Sequence, residues 1–186
     1  GAAIQWLRDG LKVIEKASET ERIAYELESS DGVYVVPAFT GLGAPYWDQY
    51  ARGAIVGITR GTTNAHIARA TLEGIAYQVY DLTKSMESDF GGKGTELRVD
   101  GGAAANNLMM QFQSDITHLE VIRAASDEMT AKGVGMLAML TIGILTSIEE
   151  TKYLYASSDT YSPKMKVVDV NRLIDSYEKA VNMVVN

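Results

Sequence analysis

The sequence predicts a layered α/β domain. Two observations carry this. Short runs rich in β-branched and apolar residues, 33–39 (VYVVPAF), 53–59 (GAIVGIT), 97–99 (LRV) and 119–122 (LEVI), are bounded by glycine and turn residues. Between and after them lie segments whose apolar residues recur at helical spacing. The resulting order is strand, strand, helix, strand, helix, strand, helix, which favours helices layered on a sheet. At 186 residues the chain is long enough for one domain with a sizeable core. It contains no internal repeat, low-complexity tract or clean linker.

The elements follow in order. Residues 2–16 place Ile4, Leu7, Leu11 and Ile14 on one helical stripe. Residues 19–29 read as a second, more charged helix, closed by the turn Ser30-Asp31-Gly32. Pro37 marks an end or edge of the first strand. Residues 40–52 (TGLGAPYWDQYAR) form a Gly/Pro/aromatic loop, flanked by Asp48 and Arg52 at a spacing that allows an ion pair. After a turn, Asn64 is the expected cap of a long helix with Ile67, Thr71, Ile75, Val79, Leu82 and Met86 along one face. The strand at 97–99 runs through a glycine turn into a helix carrying Leu108, Phe112 and Ile116. Ser126 or Asp127 should cap a helix reaching about Leu145, whose apolar stretch 133–145 reads as buried. A short acidic helix at 147–154, a loop at 161–164 and a final helix from Asp169 complete the chain. In that last helix Val170, Leu173, Ile174, Tyr177, Val181 and Val184 face inward.

Composition excludes several function classes. There is no cysteine, so disulfides, thiolate metal sites and a cysteine nucleophile are absent. A net charge of −7 argues against a nucleic-acid binder. It does not argue against a nucleotide, which needs only local positive potential or backbone N–H groups. No apolar run approaches the roughly 20 residues of a membrane span. The start, GAAIQW, has neither a basic n-region nor a methionine, and reads as a cut inside a longer chain.

The segment with most chemical potential is 100–107 (DGGAAANN). Gly101 and Gly102 accept positive φ and let a ligand touch the backbone. Unsatisfied N–H groups at the following helix start attract anions, and Asn106 offers a donor and an acceptor. The pattern is not a complete G-x-G-x-x-G fingerprint, and on pattern alone a plain strand-to-helix turn with an asparagine cap fits it better. His66 and His118 have no neighbouring metal-ligand partner; His66 reads as surface and His118 as near a strand start. Glu149 and Glu150 read as a solvated face, and Met109, Met110, Met136 and Met139 as core. Glu73, in mid-helix, suits holding a loop or an arginine. No general base and nucleophile set is visible.

Longer motifs add a resemblance. VYVVPAFTGLGAPYWDQYARGAIVGITRG (33–61) closely resembles the glycerol kinases. The stretch from Gly53 through HIARATLEGIAYQ looks like a signature of the wider FGGY carbohydrate kinase family. LRVDGGAAANNLMMQFQSDI is similar to that family's second nucleotide-binding stretch, and GAAIQWLRD matches the opening of the later part of its C-terminal domain. The resemblance covers essentially the whole chain and is weakest from about Ser157.

It implies a domain of the actin-like ATPase (ribonuclease H-like) fold, with residues 1–186 making most of the C-terminal, nucleotide-binding domain of a cytoplasmic kinase. That kinase would transfer the γ-phosphoryl group of ATP to glycerol with Mg²⁺, giving sn-glycerol 3-phosphate and ADP. The positions matching the family's ADP contacts are Gly1, Gln5, Gly102 and Asn106. Gly102 would present its N–H to phosphate, Asn106 and Gln5 would address base and ribose, and Gly1 would permit close approach. The family's catalytic aspartate and most glycerol contacts lie upstream, so no catalytic or metal-ligating residue is assigned here, and the segment alone should be inactive. Homodimers or homotetramers are the family's usual state.

The chain departs from the family pattern at Gln49, Glu120, Ala124, Met129 and Lys132. Lys132 at a usually apolar position must snorkel or pair if buried. Another FGGY kinase acting on a pentulose, or a non-catalytic actin-like module, is the alternative reading.

Overall fold

The computed structural model describes residues 1–126 and 128–185. The chain enters through α1 (Ala2–Gln5), which widens into a π-helical turn over Trp6–Gly10. There follow α2 (Glu19–Ala24), β1 (Tyr34–Val36), β2 (Ala54–Val56), the long α3 (Asn64–Phe90) and β3 (Glu96–Val99). A 3₁₀ turn over Gly102–Ala105 leads into α4 (Asn107–Thr117), then β4 (Glu120–Ala124) and α5 (Met129–Thr141). A 3₁₀ stretch over Ile148–Leu154, β5 (Ser157–Tyr161) and α6 (Val167–Val181) end the fold.

β1 and β2 form an antiparallel ribbon. β3, β4 and β5 form a mixed sheet in that order, β3–β4 parallel and β4–β5 antiparallel, with Leu97 opposite Val121 and Ile122 opposite Thr160. The predicted mixed α/β layering is present. β5 occupies a stretch to which the sequence reading assigned no element, and takes in Tyr161, the first residue of the expected loop.

The molecule is organised on α3. Its buried positions include Ala65, Ala68, Ala70, Gly74 and Ala76, so neighbouring backbones come close. A Cβ at Gly74 would collide with the carbonyl oxygen of Val35, which seats α3 directly on β1. On another side Leu72 packs with Leu108, Met109 and Met110 of α4 and Val121 of β4. Further along, Tyr77 stacks on Tyr177 of α6 at 4.4 Å and meets Phe112 of α4 edge-on at 5.5 Å. These aromatic geometries add to the area they bury. The expected stripe on this helix is therefore corrected: Leu82 and Met86 are 47% and 61% exposed. Thr71 of that stripe is buried and Ile67 and Ile75 pack partly buried against the core, so the stripe holds over the first half of the helix, where small residues bring neighbouring backbones close.

Other boundaries also move. The first helix does not reach Lys16. A Cβ on Gly10 would lie 2.7 Å from Trp6 Cδ1, and the chain leaves helical geometry with Lys12 at φ +56°. Leu11 is consequently exposed, while Ile14 is buried. α2 stops at Ala24 rather than Ser29, because Arg69 donates to the carbonyls of Ala24 and Leu27. Arg69 is itself held by Glu73 at 2.8 Å, the structural role expected of that glutamate. Burial pushes the Glu73 carboxyl up, against the opposing bonds from Ser30 and Arg69.

Thr63, not Asn64, caps α3, through a reciprocal box with His66. His66 is correspondingly buried rather than on the surface. α5 ends at Thr141 and has no buried residue, contrary to the expected buried helix. Met136 and Met139 are only half-buried, and Lys132 is exposed. As for its proposed caps, Asp127 lies outside the described residues, and Ser126 Oγ accepts from the Glu128 N–H. Met109 and Met110 are core, as expected. In the aromatic loop, Asp48 accepts from the N–H groups of Tyr50 and Ala51, and Arg52 donates to the carbonyls of Gln49 and Ala51.

Asp81 yields a pH test. It is buried and accepts from Tyr46 Oη at 3.2 Å. Burial pushes its carboxyl up to about 6, and the charge of Glu178 adds to this, while the Tyr46 bond opposes it. The folded state therefore holds this proton at pH values where the unfolded chain has released it. The contribution is fully present below the ordinary carboxylate range of the unfolded chain and is lost as pH rises from there through the folded value. From pH 4.5 to 7.5 this group should cost about 1–2 kcal/mol, because part of the loss falls below pH 4.5 and the carboxylate is not wholly withdrawn from water. In urea titrations Asp81→Asn should remove that part of the slope. Parallel pH profiles for both proteins would contradict the assignment.

Candidate functional site

The site begins where β3 ends. Gly101 sits at φ +82°, ψ 173°, a conformation essentially closed to residues with a Cβ. The 3₁₀ turn then closes with Ala104 N–H donating to the Gly101 carbonyl at 3.0 Å. Such a turn leaves its leading N–H groups without an intrahelical partner. Nothing lies within 4 Å of a Cβ built on Gly102, so this backbone faces open space. Asn106 caps α4 by accepting from Met109 N–H at 2.9 Å.

The open space is a cavity of about 610 Å³, within the range of small-molecule pockets. One wall is the turn, Asp100–Ala103 with Ala105 and Asn106. A second comes from α1 and the π turn: Gly1, Ile4, Gln5 and Arg8. A third is the entry to α2: Ala17, Ser18, Thr20 and Glu21. Leu72 and Met109 supply apolar surface. All four residues predicted from sequence, Gly1, Gln5, Gly102 and Asn106, line this single cavity. The arrangement combines free backbone donors, a guanidinium and an apolar surface, a set suited to a ligand with an anionic end and a flat apolar end. Arg8 is bonded to Asp9 at 2.7 and 2.8 Å.

Sequence reasoning missed the α2 wall and the residues that brace the turn. Arg123 of β4 donates to the carbonyls of Ala104 and Ala105 at 3.0 and 3.3 Å and to Asn107 Oδ1 at 3.1 Å. It also pairs with Asp159, whose carboxyl it holds below the usual range. Asn107 donates to Glu21 at 2.9 Å and accepts from Tyr161 Oη at 2.6 Å. The two asparagines thus divide the labour. Asn106 caps the helix, and Asn107 ties the turn to α2 and the sheet. The doublet was the only sequence signal of this bracing.

The remaining candidates lie elsewhere. His66 belongs to the α3 cap, and its Nε2 lies 3.3 Å from Asp31. His118 ends α4 in left-handed conformation, φ +55°, and is exposed. Glu149 is exposed, while Glu150 accepts from Thr146. Among the described residues no group of three or more His, Cys, Asp or Glu could hold a metal ion. No helix among them is long and apolar enough to cross a membrane.

Comparison with known proteins gives a consistent result. The model of the FGGY family of carbohydrate kinases, C-terminal domain, matches residues 1–142. The glycerol kinase of Parabacteroides distasonis is 54% identical over 181 residues, covering 97% of this chain and 36% of that protein. The crystal structure of Plasmodium falciparum glycerol kinase with ADP superposes with a TM-score of 0.90 at 36% identity, covering 100% of this chain and 37% of the other. A xylulose kinase from Rhodospirillum rubrum shares the fold, with a TM-score of 0.81 at 21% identity over 98% of this chain and 38% of its own. The fold is that of the actin-like, ribonuclease H-like kinases. The chain spans about a third of the length of the relatives it matches.

The cap at Asn106 is testable on stability alone. Asn106→Ala should cost about 1 kcal/mol, whereas Asn106→Ser, which keeps an acceptor for Met109 N–H without setting a second oxygen against Thr20, should recover most of it. Urea unfolding midpoints decide it; an alanine variant as stable as the parent would remove the cap from the account.

Proposed function

The chain belongs to the FGGY family of carbohydrate kinases, and we propose that it is the nucleotide-binding part of an ATP-dependent glycerol kinase. The observation that carries this reading is the convergence of Gly1, Gln5, Gly102 and Asn106 on one cavity. In this reading residues 1–186 are most of the C-terminal kinase domain. The turn at Gly101–Ala103 receives the phosphates through backbone N–H groups, since open space beyond Gly102 lets them approach. The surface offered by Ile4, Leu72 and Met109 receives the base.

Phosphoryl transfer asks a protein mainly for positioning and charge stabilisation. This chain supplies the donor side: it orients the nucleotide and shields its base. The group that deprotonates the acceptor hydroxyl lies outside it, so the chain alone should not turn over. Magnesium is usually held by one or two carboxylates together with substrate phosphates. The cavity's carboxylates are Asp100 beside the turn and Glu21 opposite, a donor set that fits an ion borne mainly by the nucleotide. Such an ion would neutralise phosphate charge.

The test is a chimera in which this chain replaces the matching 181 residues of the Parabacteroides relative. With Mg·ATP it should release ADP in the presence of glycerol, and not with xylulose, ribulose or no acceptor. Gly102→Val, whose side chain would project into open cavity rather than into protein, should cut that rate by about 100-fold or more by displacing the phosphates, with little change in melting temperature. Release driven by a pentulose would move the acceptor assignment. A folded chimera without acceptor-dependent release would overturn the kinase reading, and full turnover in the valine variant would overturn the placement of the phosphates.

A further inference from the structure

The hydrogen bonds around Asn106 fix more than a helix cap. Thr20, in the first turn of α2, is 2% exposed, and its hydroxyl donates to the Ala17 carbonyl at 2.7 Å. With its proton committed, Thr20 Oγ1 can only accept, and Asn106 Nδ2 donates to it at 3.3 Å. At the other end of the amide, Oδ1 accepts from Met109 N–H at 2.9 Å. Turning the amide over would set its nitrogen against a backbone donor and its oxygen against a hydroxyl with no proton to give. Both contacts therefore select the same orientation, with oxygen toward α4 and nitrogen toward α2.

We propose that Thr20 is a positioning residue of the nucleotide site: it holds the Asn106 amide so that a nitrogen donor, and not an acceptor, addresses the nucleoside part of the ligand. An amide nitrogen carries two protons, and Thr20 takes one. The other serves an acceptor on the ligand, such as a ring nitrogen of a purine or a ribose oxygen. Thr20 and Asn106 line the cavity from separate walls. Glu21 and Asn107, bonded at 2.9 Å, repeat the link alongside. The inference rests on the nucleotide reading above and adds the chemistry of one contact.

The experiment uses this chain with two probes, ADP and inorganic pyrophosphate, titrated by ligand-observed NMR to millimolar concentration. Thr20→Val keeps the shape and removes the hydroxyl. It should weaken ADP by about three- to tenfold, the loss expected of one misoriented hydrogen bond, and leave pyrophosphate affinity unchanged. Thr20→Ser should restore ADP affinity. A role confined to packing would shift both probes together, and that outcome, or an unchanged ADP affinity in the valine variant, overturns the inference while leaving the nucleotide reading intact. Failure of serine to rescue also overturns it. If the unmodified chain binds pyrophosphate but shows no preference for ADP, the nucleotide reading itself falls, and this inference with it.

Discussion

How closely its neighbours can approach α3 sets where the other elements lie. A 27-residue helix with alanine or glycine at 65, 68, 70, 74 and 76 lets β1, α2 and α4 lie near its axis. Gly74 against the Val35 carbonyl is the tightest of these approaches. Close packing on several sides at once fixes the relative positions of segments far apart in sequence. The cavity walls are three such segments. α2 is held to α3 by Arg69, and α4 rests on Leu72 through Met109. α1 packs near Ala68, where Leu7, Ile4 and Ile67 meet.

Polar links then make the site from this scaffold. Arg123 grips the carbonyls of Ala104 and Ala105 and joins the turn to the sheet. Asn107 connects Glu21, Arg123 and Tyr161, so one side chain touches the α2 wall and both neighbouring strands. Glu73 holds Arg69, which ends α2. Each bond is modest in water-exposed surroundings. Together they hold the turn in the cavity wall without a basic cluster, which is compatible with a chain of net charge −7.

What the sequence revealed depended on how local each cause was. The glycine turn was legible because positive φ and an asparagine cap are local demands, met by Gly101 and Asn106. α6 was legible because its partners cover a single face, burying Val170, Ile174, Tyr177 and Val181. The α2 wall was not, since Ser18, Thr20 and Glu21 read as any charged helix start, and their role comes from a turn some eighty residues on. The close approaches to α3 were missed because small residues permit them. α5 was misjudged because apolar composition says nothing about available partners: Val134 and Leu137 are 64% and 65% exposed. Gly102 and Asn106 stood out from the turn itself, Gly1 and Gln5 only through resemblance to a family, and their shared cavity is the independent geometric observation.

One cavity, built by α1, the entry to α2 and the glycine turn, is the proposed nucleotide site. The most direct measurement is an ADP titration of the ¹⁵N-labelled chain followed by ¹H–¹⁵N correlation spectra. The account predicts concentration-dependent shifts at Gln5, Thr20, Glu21 and across Gly101–Asn106, with α5 and α6 unmoved. Shifts confined to other surfaces, or none at millimolar ADP from a folded chain, would contradict it.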